Sequence, residues 1–272
     1  MIRLLKIEFK KITTYKVFWV MIGIYLAALF FVFYGFPSLI DYFAAKSNSP
    51  EFKLLKNFLY NFPDIWQNLS WIASLRLFIK VLLAIIVIVL ITNEYSYSTI
   101  RINIMNGLSR ADFLKSKIYL IFFFSMVVTL FLIISVVILG LLFSPIHTFS
   151  AMAGKLMFVV GYFVETFSYL VFAFMIGLLV KRTGFAVSLL FVYPIIELIV
   201  QQKVPEKIRP YLPVNALNHI IRTPNTSVIQ YHSPKDTIEL QTFVAGQDIL
   251  VALIYTAIFI YVCYIVLKKR DL

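Results

Sequence analysis

The sequence predicts an all-α polytopic membrane protein with six transmembrane helices, and three observations predict it. Of its 272 residues, 61% are hydrophobic and only 14% charged, whereas a soluble domain is roughly half apolar and a quarter charged. The mean hydropathy is +0.89. The apolar residues come in long uninterrupted blocks rather than in alternating or heptad patterns, so they face lipid or one another. A water-soluble globular protein is excluded. The 25 Lys and Arg outnumber the 13 Asp and Glu, leaving a net charge of +12. No compact polar domain arranges these cations as a groove, so nucleic acid is not an expected partner.

Blocks of about 20 apolar residues fall at approximately 17–36, 71–92, 118–143, 153–180, 185–200 and 249–267. The chain, 1–272, reads as a single transmembrane domain with outer loops 37–70 and 201–248. The first block follows a basic stretch, is too long for a signal-peptide core and leads to no convincing cleavage site; it reads as a retained span. The second carries Arg76 and Lys80 ahead of a clean core from Val81 to Ile91, and the fifth is short and broken by Pro194. Cys263 is the one cysteine and lies inside the last block, so no intrachain disulfide is possible. No internal repeat is evident, which argues against a fold of inverted halves.

Six spans put both termini on one side, and the positive-inside rule selects the side. The segments 1–16, 93–117, 181–184 and the tail after Leu267 hold Arg3, Lys6, Lys10, Lys11, Lys16, Arg101, Arg110, Lys115, Lys117, Lys181, Arg182, Lys268, Lys269 and Arg270, which is 14 of the 25 cations. The remaining 11 are spread over about twice the length. Both termini are therefore expected in the cytoplasm, with the protein in the plasma (inner) membrane. On the outer side, Phe52, Leu55, Leu59 and Phe62 recur at helical spacing up to Pro63, predicting an amphipathic surface helix. Pro205, Pro210, Pro213, Pro224 and Pro234 punctuate the second outer loop, predicting short elements pinned against the membrane.

The first sixteen residues place Ile2, Leu5, Phe9 and Ile12 on one helical face with Arg3, Lys6 and Lys10 beside it. That pattern predicts an interfacial helix whose apolar side chains enter the acyl boundary while its lysines meet anionic headgroups of the membrane lipids, each worth about 1 kcal/mol. A plain basic flank without a helix is the simpler alternative.

The inner segment Asn93 to Lys117, NEYSYSTIRINIMNGLSRADFLKSK, is too long and too patterned for a simple turn. Ile100, Ile104 and Leu108, with Ile102 and Met105, form a short apolar helical surface. Gly107 is placed as a helix stop, and Ser109 with Asp112 resembles the N-cap of the next helix. A short helix lying across the cytoplasmic span ends is suited to docking a soluble partner.

The run of Glu94, Thr99, Arg101, Gly107, Ser109, Arg110, Phe113 and Lys117 resembles the inner loop of type-two ATP-binding-cassette (ABC) exporter permeases. In that family an acidic residue, a Gly-Thr pair and a later Ser-Arg lead into the third span. Ser98 stands where the family usually has glycine. The N-terminal interfacial helix is similar to the family's elbow helix, and the ending Lys268, Lys269, Arg270, Asp271, Leu272 resembles its basic-Asp-Leu finish. The likeness covers the whole chain in layout and about 25 residues in motif. It implies a permease subunit that moves an unidentified substrate, paired with a second permease chain, identical or related. Each chain would present a coupling helix, roughly Ser96 to Asn106, to a separate cytosolic ABC ATPase. Glu94, Ser98, Thr99, Arg101, Ile104, Gly107 and Arg110 are the implied docking and coupling residues. This sequence holds no G-x-x-x-x-G-K-[ST] phosphate loop, so the chain is not expected to be the nucleotide-binding subunit. No catalytic residue or cofactor is expected in it, and the resemblance implies that ATP and Mg belong to the partner.

Charged groups in hydrocarbon cost at least about 2.5–3.5 kcal/mol each and require partners or water. Glu165 falls near the middle of the fourth span and Glu197 slightly outside the middle of the fifth. Arg76 and Lys80 share one face of the second at i, i+4. Depth permits a pair between Glu197 and Arg76 or Lys80, and the competing reading makes Glu165 or Glu197 part of a substrate or proton path. Pro194 frees the carbonyl of Leu190 and predicts a kink. Gly154, Gly161 and Gly177 would allow close helix approach. His147, His219 and His232 are the only histidines and lack metal-ligand spacing, so no metal is expected. There is no G-x-S-x-G elbow. Asn-x-Ser triplets occur at Asn68 and Asn225. Two further function classes are compatible with the residues: an ATP-independent channel or ion-coupled carrier using Glu165 and Glu197, and a non-transport membrane anchor for a soluble partner.

Overall fold

The computed structural model describes residues 8, 10, 12–13, 16–47, 59–74, 79–224 and 241–269. Arg76, the proposed surface segment before Leu59, most of the N-terminal helix and the last three residues lie outside these. Within them the protein is all-α; the single strand-like feature is an isolated parallel bridge between Pro224 and Gln241.

The chain enters through α1 (Lys16–Phe30), which widens into a π-helical turn at Phe31–Gly35 and continues as α2 (Phe36–Ser47). The loop expected from residue 37 therefore begins about one helix later than the apolar count placed it, because Asp41 and Lys46 end the apolar run without ending the helix. A short helix α3 (Asp64–Ala73) follows, then α4 (Ile79–Ser96), and a 65° bend leads into α5 (Thr99–Met105). The expected second span 71–92 is thus divided: Trp71 to Ala73 finish α3, and α4 alone has 18 residues, about 27 Å long and close to the thickness of a hydrocarbon core.

Next comes α6 (Arg110–Phe143), whose 34 residues extend about 51 Å and project well beyond a 30 Å core. After a turn, α7 (Phe149–Ala153) and α8 (Met157–Val180) form the fourth crossing, α9 (Thr183–Lys203) the fifth, and α11 (Gly246–Lys269) the last. Between α9 and α11 a 3-10 turn at Arg209–Tyr211 and the short α10 (Pro213–Asn218) are the pinned elements the prolines predict. Five helical stretches are long and apolar enough to cross a membrane, and a sixth is reached when the bent pair α4 and α5 is taken together. The chain is a multi-pass membrane protein.

Helix α8 is the axis of the bundle and packs against α11, α4, α6 and α9. Its small residues permit this. A Cβ added at Gly177 would lie 2.5 Å from Ile91, so only glycine lets α4 come this close. Gly161 faces Ile220 and Val244 instead, and Gly154 faces Pro63, so these two accommodate loops rather than a neighbouring span. By contrast α9 is largely exposed, with Phe191, Ile195, Leu198 and Ile199 turned outward as residues that meet lipid do.

Of the residues expected on an amphipathic surface helix, Phe52 and Leu55 lie outside the described residues; Phe62 is corrected to a buried position, its ring occupying the space a side chain at Gly140 would need, with Tyr60 buried beside it. Aromatic bulk meets a glycine notch in α6, and burial of the ring outweighs the surface position. Asn68 is buried as well and its Nδ2 donates to the Leu59 carbonyl at 3.2 Å, so its triplet is no exposed acceptor.

Candidate functional site

Two regions concentrate polar chemistry. The first is at the end of the bundle where Lys16, Arg110, Lys181, Arg182, Lys268 and Lys269 gather. There α4 must stop and turn, and Ser98 makes the turn at φ 53°, in the left-handed region that favours glycine. The Thr99 hydroxyl donates to the Glu94 carbonyl at 3.3 Å, closing the corner. Gly107 at φ 90° ends α5, and the Leu108 amide returns to the Asn103 carbonyl at 3.0 Å. Ser109 then caps α6: it accepts from the Asp112 amide at 3.0 Å and donates to the Asp112 carboxylate at 2.6 Å. The stop and the cap are where the sequence puts them.

The acid at the start of this motif and the lysine at its end meet. Lys117 Nζ donates to Glu94 Oε1 and to Glu8 Oε2, and Ser116 Oγ donates to Glu8 Oε1 at 3.3 Å. All four side chains are buried. Three separate stretches, the N-terminal segment, the end of α4 and the start of α6, are thereby pinned to one ammonium. Glu8 had not been singled out from sequence, although a signal existed: it is the sole acidic residue before Asp41, set among lysines.

With its base fixed, α5 divides into two faces. Ile100 is buried, and Ile104 and Leu108 pack against the bundle core, while Tyr97, Arg101, Ile102 and Met105 are exposed, Met105 to 78%. The expected docking face is corrected at three residues, the first of them Glu94, which is buried against Lys117. Ile104 belongs to the face that seats the helix, because it follows Ile100 by one turn. Arg110 is also engaged: its Nη1 donates to the Leu267 and Lys268 carbonyls at 2.8 and 2.7 Å, capping the end of α11 with a cation. What remains presented is Arg101 with Ile102 and Met105, a cation beside two apolar side chains.

The second region lies toward the opposite end. Lys80, the second residue of α4, forms a buried ion pair with Glu165 of α8, the side chains 4% and 1% exposed. The same ammonium donates to Asn218 Oδ1 at 2.8 Å and stands 4.8 Å from the Tyr169 ring centre; Ser74 Oγ donates to Glu165 Oε2 at 3.1 Å. Lys80 is therefore not the partner of Glu197, and the alternative partner Arg76 lies outside the described residues; the two Glu197 oxygens accept the amides of Val214 and Asn215 at 3.1 and 2.7 Å, holding the first turn of α10. Depth along α4 allowed either acid. Both α8 and α9 pack on α4, α8 the more extensively, and it is Glu165 of α8 that the fold sets against the Lys80 ammonium. A cavity of about 240 Å³ opens beside this cluster, and Lys80, Glu197, Asn215 and Asn218 share its wall with Leu190 and Pro194.

Of the histidines, His147 is exposed and His219 lies 3.3 Å from Asp248, which also receives Arg222 at 3.0 Å. Among the described residues, no group of three His, Cys, Asp or Glu is placed to hold a metal ion.

A family model described as "Protein of unknown function (DUF2705)" matches residues 24–272. No curated protein matches the chain.

Proposed function

The chain belongs to the DUF2705 family, and for this member we propose the role of membrane-spanning permease subunit of an ATP-driven exporter. The observation that supports this most is the bent segment from Glu94 to Lys117. A helix of 7 residues hangs off α4 at 65°, is seated by Ile100 and Ile104, and is fixed at its base by the Lys117 contacts. It offers Arg101, Ile102 and Met105 to water at the basic end of the bundle. A rigidly mounted amphipathic helix whose mount joins several spans is what a soluble motor needs in order to push on them.

In this reading a separate cytosolic ABC ATPase supplies ATP and Mg. Closure of two ATPases is transmitted through α5 to α4, and through Lys117 to α6 and the N-terminal segment. A second permease chain, identical or related, completes the path. The sidedness follows from the basic end facing the cytoplasm of the inner membrane. Purifying the chain from its native membrane tests this: a nucleotide-hydrolysing subunit is expected to accompany it and to be released by Arg101→Glu combined with Ile102→Asp. An ATPase that stays bound to that variant removes the docking assignment.

A carrier reading draws on the 240 Å³ cavity beside Lys80 and Glu197. It is the weaker of the two, because Glu165 and Glu197 both hold neighbouring elements in place. Full transport by Glu165→Gln and Glu197→Gln, provided the variants fold, would dismiss it.

A further inference from the structure

At the basic end α6 and α11 stand apart over a groove of about 590 Å³, bordered among others by Lys115, Ile118, Tyr119, Ala257, Tyr261 and Tyr264. This is within the range of about 300–1,000 Å³ common for small-molecule sites. One end is tied, since Arg110 of α6 donates to the last carbonyls of α11. The groove is thus a fixed feature of two joined helices.

Its polar and apolar parts are segregated. Lys115 is 62% exposed, and its ion-pair contact among the described residues is Asp112 Oδ1, 4.0 Å away on a side chain itself 45% exposed. A contact of that kind, one turn apart in water, contributes little. The ammonium remains open to an anion. Three tyrosines sit at the same end, amphipathic rings of the kind that settle at the level of lipid headgroups. Ile118 and the small Ala257 lie along the groove, where a chain without bulk could pass.

We propose that this groove holds one anionic glycerophospholipid of the leaflet at the basic end, its phosphate at Lys115 and the tyrosine hydroxyls, its acyl chain along Ile118 and Ala257. Charge selects this occupant over a second copy of the chain. Lys268 and Lys269 are exposed at the same end, so a second copy would bring like charge against Lys115, whereas a phosphodiester neutralises it. The assignment does not depend on an ATPase partner or on which compartment the basic end faces.

The test reconstitutes the full chain in phosphatidylcholine vesicles doped with photoactivatable phosphatidylglycerol or, in a parallel arm, photoactivatable phosphatidylcholine. Phosphatidylglycerol is expected to label peptides 111–119 and 257–264 at least fivefold more than the lipid-facing peptide 195–200. Phosphatidylcholine is expected to show no such preference. Lys115→Glu and, separately, Ala257→Trp should each remove the preference while labelling of 195–200 is unchanged; both positions are exposed, so folding is spared. Equal labelling by the two lipids, labelling that survives Lys115→Glu, or a chain-to-chain crosslink through Ala257 in place of lipid would overturn the proposal.

Discussion

Lys117 of α6 is bonded to Glu94 of α4 with both side chains almost sealed from solvent, 5% and 9% exposed. One residue comes from each end of the inner segment, so the segment is a closed loop mounted on an ion pair rather than a tether. Glu8 shares the ammonium. Removing Lys117 leaves two buried carboxylates facing each other, and losing one partner of a buried pair costs about 3–5 kcal/mol. Lys117→Met is expected to lower the unfolding midpoint in detergent by several degrees, and Glu94→Gln by much less, because glutamine keeps an acceptor for the lysine. Equal midpoints for wild type and Lys117→Met would contradict this.

The pair Lys80–Glu165 predicts a different pattern, read by a double-mutant cycle. Lys80→Met and Glu165→Leu each strand one charge in an apolar surround and should each destabilise by about 3–5 kcal/mol. Together they remove both charges, so the double variant should be more stable than either single one. Additive losses in thermal unfolding would show that the two side chains do not interact.

Ser98 tests the backbone of the bend. A non-glycine residue in the left-handed region costs roughly 1–2 kcal/mol, and glycine avoids that while losing about 0.5–1 kcal/mol through its freer unfolded chain. Ser98→Gly is expected to be neutral to slightly stabilising. Ser98→Val, branched at Cβ, is expected to destabilise by about 1–2 kcal/mol. Thermal unfolding of the two variants side by side checks the sign; a loss on Ser98→Gly as large as that on Ser98→Val would be inconsistent with φ 53°.

Gly177 reports on the approach of α4 to α8. The 2.5 Å from its ideal Cβ to Ile91 means Gly177→Val must displace that side chain, at a cost of about 1–3 kcal/mol for overpacking. Ile91→Ala in the same molecule should recover part of the loss. If Ile91→Ala only adds to it, the two residues are not in contact.

Five of the six apolar blocks were legible as long helices because burial in lipid writes uninterrupted runs, whereas the second divides between α3 and α4. Gly107 and Ser109 were legible because stops and caps are local. Partner choice was not. Lys80 had two acids at compatible depth on two helices that both pack on α4, and the tertiary fold turns Glu165 to it while Glu197 meets the Val214 and Asn215 amides. The face of α5 was misjudged for a related reason: five apolar residues in a short helix fit two orientations, and the bundle beneath Ile100 and Ile104 picks one. Arg110 read as a surface cation because the carbonyls it meets, those of Leu267 and Lys268, are about 157 residues away along the chain.

On the proposed function, the exposed face of α5 meets a nucleotide-binding subunit. Site-directed crosslinking examines it face by face, using Cys263→Ser to remove the one native thiol, which is buried. Met105→Cys and Ile100→Cys are compared in native membranes with a short bifunctional reagent. Met105→Cys is expected to capture a protein that binds and hydrolyses ATP, while Ile100→Cys, on the seated face, captures none. A Met105→Cys product without nucleotide binding, or no product above the Ile100→Cys level, would contradict it.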